Sequence, residues 1–154
     1  MTHLFIREAS EADLPAMLVL YAQPGYDDGQ TLSLPDARRV FEKAANYPFY
    51  KFFVAIQDEC IVGTYAILAI DNIGHLGAPS ALVESVVVDP SLQGRGVGQA
   101  MMDHAMLIAR EKGCYKLALS SNLKRVRAHA FYEKLGYRRY GYSFGIDLHQ
   151  VSAL

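Results

Sequence analysis

Apolar and polar positions recur along the chain in two different periods, and each change of period marks a new element. Leu4 to Arg7 is a short apolar run that predicts a first strand. Ser10-Glu11-Ala12-Asp13 follows as a weak capping box, and Leu14, Met17, Leu18 and Tyr21 then fall at helical spacing. Gln23 to Gly29 reads as a loop by composition, and Pro35 opens a second helix carrying Ala37, Val40, Phe41 and Ala44. Phe52 to Ile56 and Cys60 to Ile70 predict two strands of a hairpin, joined by a tight turn at Gln57-Asp58-Glu59. A glycine-bearing loop over 71–80 leads into a strand from Ala81 to Val88. Its unbroken apolar end, Val86-Val87-Val88, predicts burial on both faces.

The period then changes again. Val97, Met101, His104, Ala105 and Ile108 share one helical face, and Lys112-Gly113 supplies a basic last turn and a stop. Tyr115 to Leu119 predicts a strand, Ala128 to Leu135 a short helix ended by Gly136, and Tyr140, Tyr142 and Phe144 a final half-buried strand. The element order is therefore β-α-α-β-β-β-α-β-α-β. That order predicts an α/β (α+β) fold with a mixed sheet flanked by helices. The 154 residues are expected to form one domain, residues 1–154.

Composition narrows the classes. Half the residues, 51%, are hydrophobic and 20% are charged, which suits a globular chain rather than a disordered one. A formal net charge of -1 supplies no field for nucleic acid or an anionic membrane, so neither partner is expected. The cysteines, Cys60 and Cys114, lie far apart without a CxxC pairing or a matching histidine cluster. Neither a disulfide scaffold nor a metal site is expected, and a reducing compartment is. The N-terminus lacks a basic region followed by an apolar core, and no apolar run reaches membrane-spanning length. The expected location is cytoplasmic.

The segment Gln93-Gly94-Arg95-Gly96-Val97-Gly98-Gln99 joins the apolar strand to the amphipathic helix. Unpaired N–H groups converge where a helix begins, and with the positive end of the helix dipole they favour an anion. Glycines let the backbone approach phosphate oxygens, and Arg95 adds a charge-assisted donor. A Walker A loop requires Gly-Lys-Ser/Thr, but Gly98 is followed by Gln99-Ala100. A dinucleotide fingerprint requires glycine three residues after its second, where this chain has Gln99 or Met101. A flexible turn without ligand is the remaining alternative, and the strand before and helix after favour an anion site.

Read as Gln-x-x-Gly-x-Gly behind Val-Val-Val-Asp-Pro, this segment resembles the signature of the GNAT superfamily of acetyl-CoA-dependent N-acetyltransferases. A second signature follows at Ser120-Ser121-Asn122 and Ala128-His129-Ala130-Phe131-Tyr132-Glu133-Lys134-Leu135-Gly136-Tyr137. With the element order, the resemblance covers essentially the whole chain. It implies a mostly antiparallel twisted sheet with a V-shaped splay between the fourth and fifth strands. Val86, Val87 and Val88 would offer backbone groups to the pantetheine arm as an added strand does. Gln93, Gly94, Arg95, Gly96, Val97, Gly98 and Gln99 would wrap the pyrophosphate, and Asn122 would bond the arm. Gln93 stands where Arg is frequent, so one phosphate charge is lost. The resemblance implies acetyl-CoA as cosubstrate, no metal, and a homodimer as one assembly.

Acetyl transfer needs an uncharged amine, a polarised thioester carbonyl and a proton for the leaving thiolate. A lysine-like amine is protonated at neutral pH by about three pKa units, so a carboxylate that takes its proton is useful. Glu84, on an otherwise apolar strand, is the candidate base; a Glu at the exposed end of the sheet, or tied to a backbone or Arg group, is the plainer account. Tyr132 occupies the family position of the general acid and also suits cofactor contact, its alternative being packing beside Phe131. Tyr26, Asp27 and Asp28 lie in the loop that borders the acceptor in similar proteins, where the acidic pair would attract an ammonium; solvation of a turn explains them equally well.

The remaining candidates are weaker. His104 reads as a core histidine, His75 as a solvated loop residue, and His129 as a secondary base. Lys124, Arg125 and Arg127 form either a contact for the 3′-phosphate or an exposed face. Neither cysteine has the context of a covalent nucleophile. The expected activity is direct acetyl transfer to a small-molecule primary amine in a ternary complex. Alternatives are a protein or peptide amine as acceptor, or a CoA-binding regulatory module without catalysis. The ending from Ser120-Ser121-Asn122-Leu123-Lys124-Arg125 through Tyr142-Ser143-Phe144 also partly resembles bacterial aminoalkylphosphonate acetyltransferases, which implies a phosphonate amine as an alternative acceptor.

Overall fold

The computed structural model describes residues 3–148. They fall into two compact units, one ending at Leu119 and the other beginning at Ser120.

The first unit is built on a five-stranded sheet. Its strands β1 (Leu4–Glu8), β2 (Tyr50–Gln57), β3 (Cys60–Ile70), β4 (Ser80–Val88) and β5 (Leu117–Ala118) lie in chain order. The first three pairings are antiparallel and the β4–β5 pairing is parallel. Helices α1 (Leu14–Tyr21), α2 (Leu34–Ala44) and α3 (Val97–Glu111) complete the unit. The mixed, mostly antiparallel architecture expected from the element order and the family resemblance is therefore present. The β2–β3 hairpin turns on Asp58 and Glu59 at φ 49° and 64°, the left-handed pair that matches the twist of a two-residue hairpin loop.

Alternation along β2 divides the core into two layers. Val54 and Ile56 point to one face and cluster with Leu14 and Met17 of α1 and Ala37 of α2. Phe53 points to the other, where its ring meets Tyr65 of β3 at 5.3 Å and His104 of α3 at 4.9 Å. Helix α3 buries Val97, Met101, Met102, Ala105 and Ala109. Removing each of the larger of these from water is worth about 1.5–3 kcal/mol. The close seat of α3 explains Gly63: a Cβ there would lie 2.9 Å from Met101 Sδ and 3.2 Å from the Val87 carbonyl.

Chain entry to α1 is fixed by a buried carboxylate. Asp13 accepts both guanidinium arms of Arg7 at 2.7 and 2.8 Å and the Ser10 N–H at 2.7 Å. The Arg7 hydrogen bonds, against opposing burial, hold the Asp13 carboxyl down at about 2.

Differences from the sequence expectation lie in β4 and beyond. β5 is shorter than the expected 115–119, and its ladder with β4 covers only Ala81–Leu117 and Leu82–Ala118. From Val83 onward that edge of β4 has no strand partner among the described residues. Within Val86–Val88 only Val87 is buried, so double-sided burial is incomplete.

In the second unit, α4 (Val126–Lys134) stands where a short helix is expected. The expected final strand does not form. Tyr140, Tyr142 and Phe144 are 69%, 90% and 92% exposed, so their alternation serves no buried face. Gly141 and Gly145 interrupt the stretch, weakening strand preference where no packing repays the lost freedom.

Candidate active site

The strand-to-helix connection forms as an open turn. Asp89 caps a 3-10 turn over Pro90–Leu92 by accepting the Ser91 N–H at 2.8 Å and hydroxyl at 2.7 Å. Gly94 and Gly96 then take φ of 76° and 90°, the left-handed region an L side chain enters only under strain. A Cβ on either would meet nothing within 4 Å, so these glycines are set by backbone conformation and leave open space above the turn. The first amide of α3 with a helical acceptor is Ala100, bonded to the Gly96 carbonyl at 3.0 Å. The N–H groups of Val97, Gly98 and Gln99 are left without one, at the positive end of a 15-residue helix. Gln93 to Gly96 are exposed while Val97 anchors the helix in the core. That donor set suits a diphosphate, with Arg95 as the adjacent charge.

Upstream, β4 carries a bulge. Thr64 pairs with Val87 but Ala66 pairs with Glu84, so Ser85 and Val86 together oppose Tyr65. Ser85 adopts φ 53°, a strained value for a non-glycine residue. The register places Glu84 beside Ala66 and hence on the sheet face of Phe52, Val54 and Ile56, where α1 and α2 pack. Glu84 is exposed there.

On that face lies a cleft of about 550 Å³, lined by α1, α2, the loop between them, Tyr50 and Phe52 of β2, and Ser85 of β4. Tyr26 donates its hydroxyl hydrogen to Ser85 Oγ at 2.7 Å and stacks on Tyr21 at 5.3 Å. Burial pushes the Tyr21 phenol up to about 12 despite a hydrogen bond with Thr64. Tyr50 is also raised, by burial first and then by the Glu84 charge. These phenols stay neutral donors at physiological pH. Asp27 lines the cleft; Asp28 does not, and instead accepts the Gly25 N–H at 2.7 Å from a left-handed conformation.

The first unit thus gathers Glu84, Val86 to Val88, the turn from Gln93 to Gln99, and Tyr26 with Asp27 on one scaffold. In the second unit, Asn122 Oδ1 accepts the Lys124 N–H at 2.9 Å, and the Asn122 carbonyl meets the Arg125 N–H at 2.9 Å and His129 Nε2 at 2.8 Å. Tyr132 is half-buried, edge-on to Phe131 at 5.1 Å and Tyr137 at 5.7 Å. Burial raises its hydroxyl above the ordinary value near 10, opposed by Arg125.

Other candidates find structural roles. His104 is a core histidine, its Nδ1 2.7 Å from the Tyr65 hydroxyl and its pKa lowered by burial. His75 stacks on Tyr115 at 4.2 Å, and Lys124, Arg125 and Arg127 are exposed. Burial pushes the Cys114 thiol up, away from thiolate chemistry. Among the described residues no His, Cys, Asp and Glu side chains cluster as a metal site, and no helix is long and apolar enough to cross a membrane. Sequence reasoning missed Tyr50 and Ser85 as site residues. Their signal was a polar atom on an otherwise apolar strand face, which alternation treats as noise until pairing is known.

Residues 14–137 match the model of the acetyltransferase (GNAT) family. The chain belongs to this family. Acyl transfer to an amine, with acetyl-CoA as cosubstrate, is the chemistry of this family. A glucosamine 6-phosphate N-acetyltransferase from Trypanosoma brucei brucei is 39% identical over 88 residues, 57% of this chain and 58% of its own length. An aminoalkylphosphonate N-acetyltransferase from Salmonella typhimurium is 34% identical over 62 residues, 40% of each chain. The chain spans about half the length of the curated relatives it matches. Among solved structures, a putative acetyltransferase from Agrobacterium tumefaciens superposes with TM-score 0.85 at 31% identity, covering 93% of this chain and 99% of the other. A transcriptional regulator from Bacillus halodurans superposes with TM-score 0.87 at 26% identity, over 95% and 100%.

Proposed function

We propose that this GNAT chain acetylates the primary amine of a small molecule by direct attack on acetyl-CoA in a ternary complex, the whole chain acting as one acetyltransferase domain. The observation that carries the reading is the open fan of N–H groups at Val97, Gly98 and Gln99 behind left-handed Gly94 and Gly96. Those groups and Arg95 hold the pyrophosphate. The edge of β4 at Val86 to Val88, which has no strand partner among the described residues, and Asn122 bind the pantetheine arm. Acetyl-CoA supplies an acyl group activated as a thioester.

The chain's own groups manage protons. Glu84, exposed on the cleft face of β4, takes the proton that the ammonium must lose as its nitrogen bonds to the acyl carbon. Tyr132 holds a proton at its hydroxyl for the sulfur that departs. Its raised pKa keeps that proton in place throughout the neutral range. The cleft lined by Tyr26, Asp27 and Ser85 receives the acceptor.

Glu84→Gln tests the base. The variant is expected to lose about 10²-fold in kcat/KM at pH 7 and to recover as pH rises towards the amine's own pKa, since more free amine then makes the carboxylate unnecessary. The pH profile of thiol release measures this. An unchanged rate at pH 7 removes Glu84 from the mechanism.

A further inference from the structure

The acceptor cleft has a chemistry of its own, and matching it to a class of amine rests on the reading that the acceptor binds there. Asp27 is the one charged side chain in its lining; no Lys, Arg or His lines it among the described residues. Glu84 adds a second carboxylate on the same sheet face, close enough to raise the Tyr50 phenol. The walls are aromatic. Phe41 lies 5.8 Å from Phe52, Phe52 lies 5.0 Å from Tyr50, and Tyr21 stacks on Tyr26.

Phosphate and phosphonate recognition draws on Arg, Lys or converging backbone N–H groups that match the anion's oxygens. This cleft opposes such a group, because its fixed charge is negative and its remaining surface is largely ring and aliphatic carbon. The same surface favours a cation over aromatic faces, with a carboxylate at the rim and apolar area beyond. The tie between Tyr26 and Ser85 places hydroxyl oxygens at the β4 end, whereas Phe41, Val40 and Leu14 line the α1–α2 side. One end therefore suits an ammonium and the other its carbon body.

We propose that the acceptor is an arylalkylamine-like molecule: one primary amine on an apolar, ring-sized body without phosphate or phosphonate. Glucosamine 6-phosphate and the aminoalkylphosphonates, for which two relatives are named, carry an anion that this cleft does not accommodate.

The test uses the full chain with 2-phenylethylamine, glucosamine 6-phosphate and 2-aminoethylphosphonate. With acetyl-CoA present, kcat/KM for 2-phenylethylamine is expected to exceed either phosphorus-bearing amine by about 10²-fold. Asp27→Lys, at an exposed loop position, should cut that preference by about tenfold or more by placing a cation at the rim. A preference for either phosphorus-bearing amine, or an Asp27→Lys profile equal to wild type, overturns the proposal. Calorimetric titration without acetyl-CoA separates it from the transfer reading. If 2-phenylethylamine binds, the phosphorus-bearing amines do not, and no amine releases thiol, then acetyl transfer fails and the cleft assignment stands. If 2-phenylethylamine does not bind, the cleft assignment fails whatever the turnover.

Discussion

Gly96→Val is expected to weaken acetyl-CoA binding by about 10²-fold or more while the protein still folds. The two halves of that result have separate causes. At φ 90° a valine sits in a region that costs an L residue about 1–2 kcal/mol, and its β-branching makes the fit worse. Relief of that strain rotates the backbone and re-aims the N–H groups of Val97, Gly98 and Gln99. The added side chain also occupies the open space above the turn, where a Cβ now meets nothing within 4 Å. That same openness spares the core, since no packed neighbour has to move. Calorimetry with acetyl-CoA alongside thermal unfolding measures both halves. Unchanged affinity in a folded variant would detach the turn from cofactor binding.

Tyr132→Phe is expected to lower kcat by about 10²-fold or more with little change in acetyl-CoA affinity. The substitution keeps the ring that meets Phe131 and Tyr137 and removes only the hydroxyl. A general acid acts while protonated. Because burial raises the Tyr132 pKa above that of an ordinary phenol, wild-type kcat should show no alkaline loss from this group across the neutral range. An alkaline limb near neutrality therefore belongs to another group. Pre-steady-state and steady-state rates of thiol release, compared with direct binding of acetyl-CoA, separate the two effects. A Phe variant as fast as wild type leaves Tyr132 as a packing residue.

The fold was legible where burial and period agree. The α3 face, the β2–β3 hairpin and the glycine turn follow from local chemistry: helical spacing, a two-residue turn, and glycines where φ must be positive. The stretch with Tyr140, Tyr142 and Phe144 shows the limit. Period-two alternation marks a strand only when another strand meets it, and here all three side chains are exposed.

The site was legible in the same uneven way. Sequence placed Tyr26 and Asp27 beside the acceptor region, and the structure puts both in the cleft lining. It grouped Asp28 with them, but a local hydrogen bond to the Gly25 amide turns that carboxylate to another use. Ser85 and Tyr50 were invisible because their relevance depends on register. The bulge at Ser85 and Val86 decides which residues of β4 face the cleft, and nothing in the local sequence announces it.

The central claim is that acetyl-CoA and a small amine react on this chain. Its most direct test is to incubate the wild-type protein with acetyl-CoA and 2-phenylethylamine, and follow free thiol and product mass together. The expected result is one acetylated amine for each thiol released, with release dependent on amine concentration and on enzyme. Release that ignores the amine, or none across a panel of aryl, sugar, phosphonate and peptide amines despite bound acetyl-CoA, would contradict it.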